Sequence, residues 1–236
     1  RVHPLYGLFF TIVAYLAIGP CFAIPRTGTV AFEIAVSPFL GEGSKAVWST
    51  VFLAAFFIIS FWLSASPQKF VDRIGKLLTP LLVLTIVLLI VQSFLSPLGV
   101  PQAPTKAYAD PVVATVQGVL DGYNTLDAIA AFVFATLVLN VVRIDCGLTD
   151  PKEITKQVYK SGIVAVALLA FIYIFIAKIG AESVQAIGMQ ATGAPVLAES
   201  AKILFGNAGA VILAVVVLLA CLATSIGLVT GCAAYF

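Results

Sequence analysis

Three long runs without a charged side chain constrain what this chain can fold into. Residues 46–68, 77–105 and 203–236 contain no Asp, Glu, Lys or Arg. A helix needs about 20 predominantly apolar residues to cross the hydrocarbon core of a bilayer, so each run is long enough to span it. Only 10% of all residues are charged, whereas a soluble domain has roughly 25%. The sequence therefore predicts an all-α polytopic membrane protein.

Turn-forming residues between the apolar runs divide the chain into six predicted spans. We predict one transmembrane domain, residues 1–236, with spans at about 5–35, 47–66, 77–96, 112–142, 161–180 and 208–236. Pairs such as Ser37-Pro38 and Asp150-Pro151 mark the breaks between spans. The connection 181–207 is rich in Ala, Gly and Ser, and we predict a loop there with a short surface helix around 194–204.

The basic residues lie unevenly among the predicted connections. They concentrate in 67–76 (Lys69, Arg73, Lys76) and in 143–160 (Arg143, Lys152, Lys156, Lys160). By the positive-inside rule these two connections are predicted to be cytoplasmic. The chain has no initiator methionine and stops within an apolar run, so we expect an internal fragment of a longer protein.

Several function classes have little support in the composition. A net charge of +2, without a basic patch interleaved with aromatics, does not indicate nucleic-acid binding. The sequence has one histidine, His3, so it indicates neither a histidine-based catalytic dyad nor a multi-histidine metal site. An intramembrane aspartyl protease needs two facing carboxylates, but Asp121 and Asp127 lie about 240° apart around a continuous helix. We therefore predict that the protein is not an enzyme.

The fourth span contains the polar stretch DGYNTLD, residues 121–127. Gly122 and Asn124 are poor residues for a helix interior, and a carboxylate at Asp127 is costly within a membrane. Unwound backbone at membrane depth is tolerated only where it faces protein or a water-filled cavity, and transporters bind substrates at such breaks. The alternative is that 115–125 lies outside the membrane and that Thr125 or Asn124 caps a helix beginning at 126.

The sixth span contains ACLATSIGLVTGCA, residues 220–233. Thr224 and Ser225 supply adjacent hydroxyls, which together with nearby carbonyls are hard oxygen ligands suited to a small cation. The alternative is that each hydroxyl bonds a backbone carbonyl of its own helix, as is common for Thr and Ser in membrane helices.

The first span contains GPCFAIPRTGTVAFE, residues 19–33, with two charges in an apolar segment. On a continuous helix Tyr15, Gly19, Arg26 and Glu33 share one stripe. We predict that Arg26 and Glu33 form an outer-vestibule or packing feature, whereas Tyr15 and Gly19 face a polar pathway through the protein. The first and fourth spans are each roughly 46 Å long as continuous helix, so we predict that each is tilted, protruding or broken, and the prolines here predict kinks.

Three motifs together resemble the bacterial branched-chain amino acid:cation symporter family. GPCFAIPRTGTVAFE resembles the family's GPxFAxPRTxTVxFE, and GYNTLDAIAAFVFATLVLNVVR resembles its GYxTMDxLxxxVFGxxxxN. ACLATSIGL…CAAYF is similar to ACLTTAIGL…CAEYF. The resemblance implies an interrupted-helix (LeuT-like, inverted five-helix repeat) transporter fold in the bacterial inner membrane. The six spans would be the third to eighth of about twelve helices.

The resemblance also implies site residues. Gly122, Tyr123, Asn124 and Thr125 become candidates for substrate binding, and Asp127 a polar organiser beside the break. Backbone near Ala220 and Cys221, together with the Thr224 hydroxyl, would hold Na⁺, and Ser225 adds a second hydroxyl where the family often has alanine. Asn124 stands where an apolar residue is usual.

The expected function is Na⁺-coupled symport of leucine, isoleucine or valine by alternating access, with Na⁺ as coupling ion and no other cofactor. Tyr15, Tyr123 and Phe132 are candidates for the pocket around the branched side chain. Proton coupling through Asp127 and a channel are the alternatives. The expected partners are the amino acid and the bilayer, and the oligomeric state stays open.

Overall fold

The computed structural model describes residues 3–41, 45–65, 67–105, 108–145 and 147–236, and their regular structure is helical throughout. Eight α-helices follow one another along these residues: α1 (Pro4–Leu16), α2 (Ala23–Ala35), α3 (Lys45–Ser64), α4 (Pro67–Leu95), α5 (Pro111–Tyr123), α6 (Asp127–Asp145), α7 (Pro151–Ile187) and α8 (Gly193–Tyr235). A π-helical turn, Ala17–Cys21, follows α1, and a short 3₁₀ turn, Ser37–Phe39, follows α2.

Four helical segments of the described chain are long and apolar enough to cross a membrane: Pro4–Phe39, Lys45–Ser64, Pro151–Ile187 and Gly193–Ala233. Pro80–Leu95 is a shorter apolar helix. These helices agree with a polytopic membrane protein, while six spans remain a prediction. The predicted basic connection 67–76 falls within α4, and its side chains lie outside the described residues.

The chain divides into two compact units. Unit 1 comprises Arg1–Phe22, Ala103–Phe171 and Gly231–Phe236, and unit 2 comprises Ala23–Gln102 and Ile172–Thr230. The buried residues of unit 1 include Tyr15, Ile18 and Val133. The main buried cluster of unit 2 joins α2, α4, α7 and α8: Ile34, Leu89, Ile90, Ile179, Ala194, Ala198, Ala201 and Leu213.

The segment between α1 and α2 is broken. This is one of the three outcomes (tilted, protruding or broken) predicted for so long a span. Pro20 cannot donate a backbone hydrogen bond, and Gly19 has a non-helical conformation with φ −79° and ψ −119°. Pro25 occupies the first turn of α2, where proline is tolerated, so it makes no second break. The single stripe from Tyr15 to Glu33 was therefore wrong, because no continuous helix carries it.

The predicted loop at 181–207 was also wrong. Helix α7 continues to Ile187 and α8 begins at Gly193, so only residues 188–192 connect them. Small residues favour packing here, because Ala194, Ala198 and Ala201 all lie in the buried cluster of unit 2. The short helix predicted at 194–204 is the first section of α8, which Gly206 (φ 67°, ψ −162°) separates from the rest.

Candidate functional site

The helical ladder is interrupted between α5 and α6. Helix α5 ends at Tyr123 and α6 begins at Asp127. The backbone N–H of Asn124 donates to the Leu120 carbonyl at 2.9 Å and closes the last turn of α5. Leu126 then takes φ 65°, a left-handed conformation that is uncommon for a residue other than glycine. The predicted interruption is thus present between Tyr123 and Asp127, and Asn124 is the C-cap of α5.

One hydroxyl joins the two sides of the break. Thr125 Oγ1 lies 2.7 Å from the Gly122 carbonyl oxygen and 2.7 Å from Asp127 Oδ2. A threonine hydroxyl carries a single proton, so it can donate to the carbonyl or to the carboxylate, but not fully to both. The Asp127 carboxylate occupies the first turn of α6, where the helix dipole stabilises negative charge.

The groups around this break are accessible within unit 1. Gly122, Tyr123, Asn124, Thr125 and Asp127 are all exposed. Beyond its chain neighbours and its own helix backbone, a Cβ atom placed on Gly122 would meet no heavy atom of the described residues within 4 Å. The carbonyls of Leu120, Gly122 and Tyr123 accept hydrogen bonds from amides within the segment, and the exposed break leaves the segment accessible to a small polar ligand.

Asp121, one turn before the break, is held by two side chains that the sequence reasoning missed. The Tyr108 hydroxyl donates a hydrogen bond to Asp121 Oδ2, and Gln117 Nε2 donates to Asp121 Oδ1 at 3.1 Å. The hydrogen bond to Asp121 raises the pKa of Tyr108 above its ordinary value of 10.0. The i, i+4 spacing of Gln117 and Asp121 was the available signal.

Tyr15 and Gly19 lie at a packed site in the same unit. Tyr15 is buried, its hydroxyl donates to the Val133 carbonyl of α6 at 3.5 Å, and its ring stacks on Tyr235 with centroids 4.1 Å apart. The Cys232 thiol lies 3.7 Å from the Tyr15 carbonyl oxygen. A Cβ on Gly19 would come within 2.7 Å of Cys232 Sγ, so only glycine fits without a shift.

Phe132 lies beside Val133 on α6 but has a different environment. Its ring is 64% exposed and packs edge to face against Phe10, with centroids 6.1 Å apart. The structure therefore places Tyr15, Gly19, Phe132 and residues 122–127 in one unit. Within it, the Tyr15 hydroxyl donates a hydrogen bond to the backbone of α6, whereas the Phe132 side chain on α6 is largely exposed.

The candidate ion ligands lie on α8 in unit 2, where Ala220 and Cys221 are half-buried. Thr224 is exposed, and its hydroxyl donates to the Ala220 carbonyl at 2.8 Å, which is the backbone bonding that the sequence left open. Ser225 is fully buried, and its hydroxyl has no hydrogen-bond partner among the described residues. Among these residues no group of three or more His, Cys, Asp or Glu could hold a metal.

Arg26 and Glu33 have different surroundings in α2. Arg26 is exposed, whereas Glu33 is half-buried and its Oε2 accepts a hydrogen bond from Thr192 Oγ1 at 3.0 Å. Glu33 thus packs against the connection between α7 and α8. The role predicted for the two residues, an outer vestibule or packing, stays a prediction.

A buried polar cluster lies between α4 and α7, where the sequence predicts a loop from residue 181 onward. Glu182 is 8% exposed, pairs with Lys178 at 2.7 Å and accepts a hydrogen bond from Ser93 Oγ at 3.2 Å. Lys178 Nζ also lies 4.3 Å from the Phe94 ring centroid. The i, i+4 spacing of Lys178 and Glu182, typical of an ion pair on a helix, was the signal in the sequence that the helix continues past residue 181.

The whole chain resembles one group of transport proteins. Residues 1–236 match the family described as branched-chain amino acid transport protein. The chain is 42% identical over 236 residues to the branched-chain amino acid permease BraB of Bacillus subtilis and 41% identical to BrnQ of the same organism. These alignments cover 100% of this chain and 52% and 53% of the two permeases.

A third relative, the branched-chain amino acid transport system 2 carrier protein of Pseudomonas aeruginosa, is 35% identical over 98% of this chain and 52% of its own length. The chain thus spans about half the length of the curated relatives it matches. No solved structure shows a significant match. The relatives are named permeases and carriers, so the family is one of transporters rather than enzymes. The resemblance that the three motifs indicated is confirmed: the chain belongs to the branched-chain amino acid transport protein family.

Proposed function

We propose that this chain forms part of a Na⁺-coupled symporter that takes up leucine, isoleucine or valine by alternating access, on a LeuT-like fold of inverted repeats. The observation that carries the proposal is the accessible break between α5 and α6, with its exposed backbone and the Thr125–Asp127 contact. Relatives named as branched-chain amino acid permeases supply the substrate class.

The two helix ends at the break suit the two charges of an amino acid. The C-terminal end of α5 presents carbonyl oxygens and the negative end of the helix dipole, which attract an ammonium group. The N-terminal end of α6 presents amides and the positive dipole end, which attract a carboxylate. The Asp127 side chain adds a further acceptor for the ammonium group. The Thr125 hydroxyl fixes the position of the Asp127 carboxylate.

The branched side chain would lie against exposed apolar rings beside the break. Tyr123 is 61% exposed and Phe132 is 64% exposed, so both rings have surface available for contact. Tyr15 and Gly19 contribute differently, since Tyr15 is covered by Tyr235 and supports α6 through the Val133 carbonyl. We assign these two a supporting role in holding α6.

Ser225 is the strongest candidate ligand for the coupling ion. A buried hydroxyl without a partner costs roughly 1–3 kcal/mol, so a bound cation at this oxygen would remove a real penalty. The Ala220 and Cys221 carbonyls and the Thr224 hydroxyl would complete an oxygen set of the kind hard cations prefer. Uptake is then driven if Na⁺ and the amino acid both stabilise the same occluded conformation.

Proton coupling is the second candidate, and one observation favours it. The Asp127 carboxylate lies 2.7 Å from a hydroxyl that can donate either to it or to a carbonyl, so a proton on Asp127 would redirect that hydroxyl. Protonation would then change the geometry of the break itself.

The test is leucine uptake by proteoliposomes that contain the transporter carrying this chain, with and without Na⁺ at fixed pH. We expect Na⁺-dependent uptake, and Ser225→Ala should raise the half-saturating Na⁺ concentration about tenfold, equivalent to about 1.4 kcal/mol. Thr224→Val should raise it less, because that hydroxyl is already bonded to Ala220.

Ser60→Ala is the matched control, because Ser60 on α3 is also buried and has no hydrogen-bond partner within the described part of the chain. It should leave the Na⁺ response unchanged. An unchanged Na⁺ response in Ser225→Ala would remove the ion site from α8. Uptake that needs no Na⁺, follows a pH gradient and is abolished by Asp127→Asn would replace Na⁺ with a proton as the coupling ion.

A further inference from the structure

The first turns of α7 carry three lysines on one face. Lys152, Lys156 and Lys160 are four residues apart, so they fall within about 80° of one another around the helix, and all are exposed. Ile154 is 5% exposed and Val158 is half-buried, and both lie about 160° from Lys156. The face of α7 that carries Ile154 and Val158 is thus covered, and the lysines lie on the opposite, exposed face.

An apolar surface continues along the same face. Tyr159, Ile163 and Val166 are 71%, 54% and 68% exposed, and all lie within about 80° of Lys156 around the helix. Ile163 lies about 10 Å further along the helix axis than Lys156. A headgroup layer roughly 5–8 Å thick separates bulk water from the hydrocarbon core, so this spacing places cations and apolar groups in adjacent layers of a bilayer.

The local charge of this face is positive. Asp150 is occupied as the cap of α7, since its Oδ1 accepts a hydrogen bond from the Lys152 backbone N–H at 3.1 Å. Glu153 is the acidic side chain within the helix itself in these turns, against three lysines. The N-terminal end of the helix dipole adds further positive potential. A shallow groove of about 490 Å³, lined by Lys152, Lys156, Thr155, Tyr159 and Pro151, lies on this end of α7.

We propose that this face is a binding site for an anionic phospholipid. The phosphate of the headgroup binds Lys152, Lys156 and Lys160, Tyr159 lies at the level of the glycerol backbone, and one acyl chain follows Ile163 and Val166. The chemistry fits an amphiphile with one negative headgroup, because the cationic band and the apolar band share a face in the order that a lipid presents them. The site is independent of the break between α5 and α6 and of the substrate.

The test is native mass spectrometry of the purified protein in detergent, titrated with dioleoylphosphatidylglycerol. We expect saturable binding that is at least tenfold tighter than binding of dioleoylphosphatidylcholine, because only the former carries a net charge. The variant Lys152→Gln/Lys156→Gln/Lys160→Gln should lose roughly 100-fold in affinity for phosphatidylglycerol, from about fivefold per lysine near a membrane surface.

Three controls separate this site from general charge effects. The Lys152→Arg/Lys156→Arg/Lys160→Arg variant keeps the charge and should keep the affinity. Lys45→Gln/Lys202→Gln removes two lysines of unit 2 and should also leave it unchanged. Lys156→Gln alone, about fivefold weaker, provides the same test should the triple variant insert or fold poorly.

Glycerol 3-phosphate serves as a probe for the headgroup alone. Weak or absent binding of this compound supports a lipid site, whereas binding as tight as that of phosphatidylglycerol overturns it in favour of a phosphate site. Equal affinity for the two phospholipids, or unchanged affinity in both Gln variants, also overturns the proposal.

Discussion

The two breaks of unit 1 interrupt helices by different means. At the first, Gly19 and Ile18 are buried, Pro20 removes a hydrogen-bond donor, and Cys232 packs against the glycine. At the second, every residue from Gly122 to Thr125 is exposed, and polar groups satisfy one another across the gap. The first break is closed by packing, and the second is open and polar.

This difference shows that an interrupted helix is not by itself a binding site. The first break is filled at Gly19, since a single methyl group there already meets Cys232 Sγ at 2.7 Å. At the second, the residues that the structure describes place no heavy atom from outside the local helix backbone within 4 Å of a Cβ on Gly122. Steric tests at the two glycines should therefore affect stability at one break and transport at the other.

The largest expected effect comes from valine at the two glycines. Gly19→Val should lower the free energy of unfolding by about 1–3 kcal/mol or more, because extra methyl groups enter a filled buried site. Gly122→Val should change it by less than about 1 kcal/mol, since the site is open and valine is no worse than glycine in a helix. Thermal unfolding of the purified variants measures both.

A rescue variant tests the cause at the first break. Gly19→Ala should be destabilising, and adding Cys232→Ala should recover most of the loss because it removes the contacting sulfur atom. Equal destabilisation by Gly19→Val and Gly122→Val, or no recovery in the double variant, would contradict the distinction between a packed and an open break.

A smaller effect is expected at Thr125. Thr125→Val removes the hydroxyl shared by Gly122 and Asp127, and should raise the KM for leucine about tenfold, or about 1.4 kcal/mol, with little change in thermal stability. Thr125→Ser keeps the hydroxyl and should stay near the wild-type KM. Leucine uptake kinetics make the comparison, and identical KM values for the Val and Ser variants would place Thr125 outside the substrate site.

The smallest effect concerns Tyr108 beside the open break. Its pKa is raised because its hydroxyl donates to Asp121, so the hydrogen bond stabilises the folded protein fully below the unfolded pKa of 10.0. The stabilisation is lost as pH rises through the higher folded pKa. Absorbance titration should show that Tyr108 ionises above pH 10, and Asp121→Asn should lower the midpoint. A midpoint that Asp121→Asn leaves in place would exclude Asp121 as the cause.

The sequence was informative where a local physical rule decides the structure. Pro20 lacks an amide proton, and the polar run 121–127 cannot continue a helix cheaply, so both breaks lie in segments that the residues marked. The three motifs also identified the family. Arg26 and Glu33 show the opposite case, because a shared stripe depends on helix continuity that Gly19 removes.

Contacts between distant residues were beyond local rules. Tyr15 meets Val133, and Glu182 meets Ser93, at sequence separations that no helical period relates. The loop predicted at 181–207 failed for the same reason. Its small residues form helix because a partner surface, including Ile34 and Leu89, is present to receive them.

Gly206 has a further consequence for the local unfolding of α8. Its φ of 67° and ψ of −162° lie in a region that is essentially restricted to glycine, and residues 193–205 before it pack on the unit 2 cluster through alanines. The hydrogen-bond ladder changes direction at this residue, so the amides on the two sides are protected by different contacts. In hydrogen–deuterium exchange, residues 194–205 should therefore exchange together as one cooperative unit, with a step in protection at Gly206.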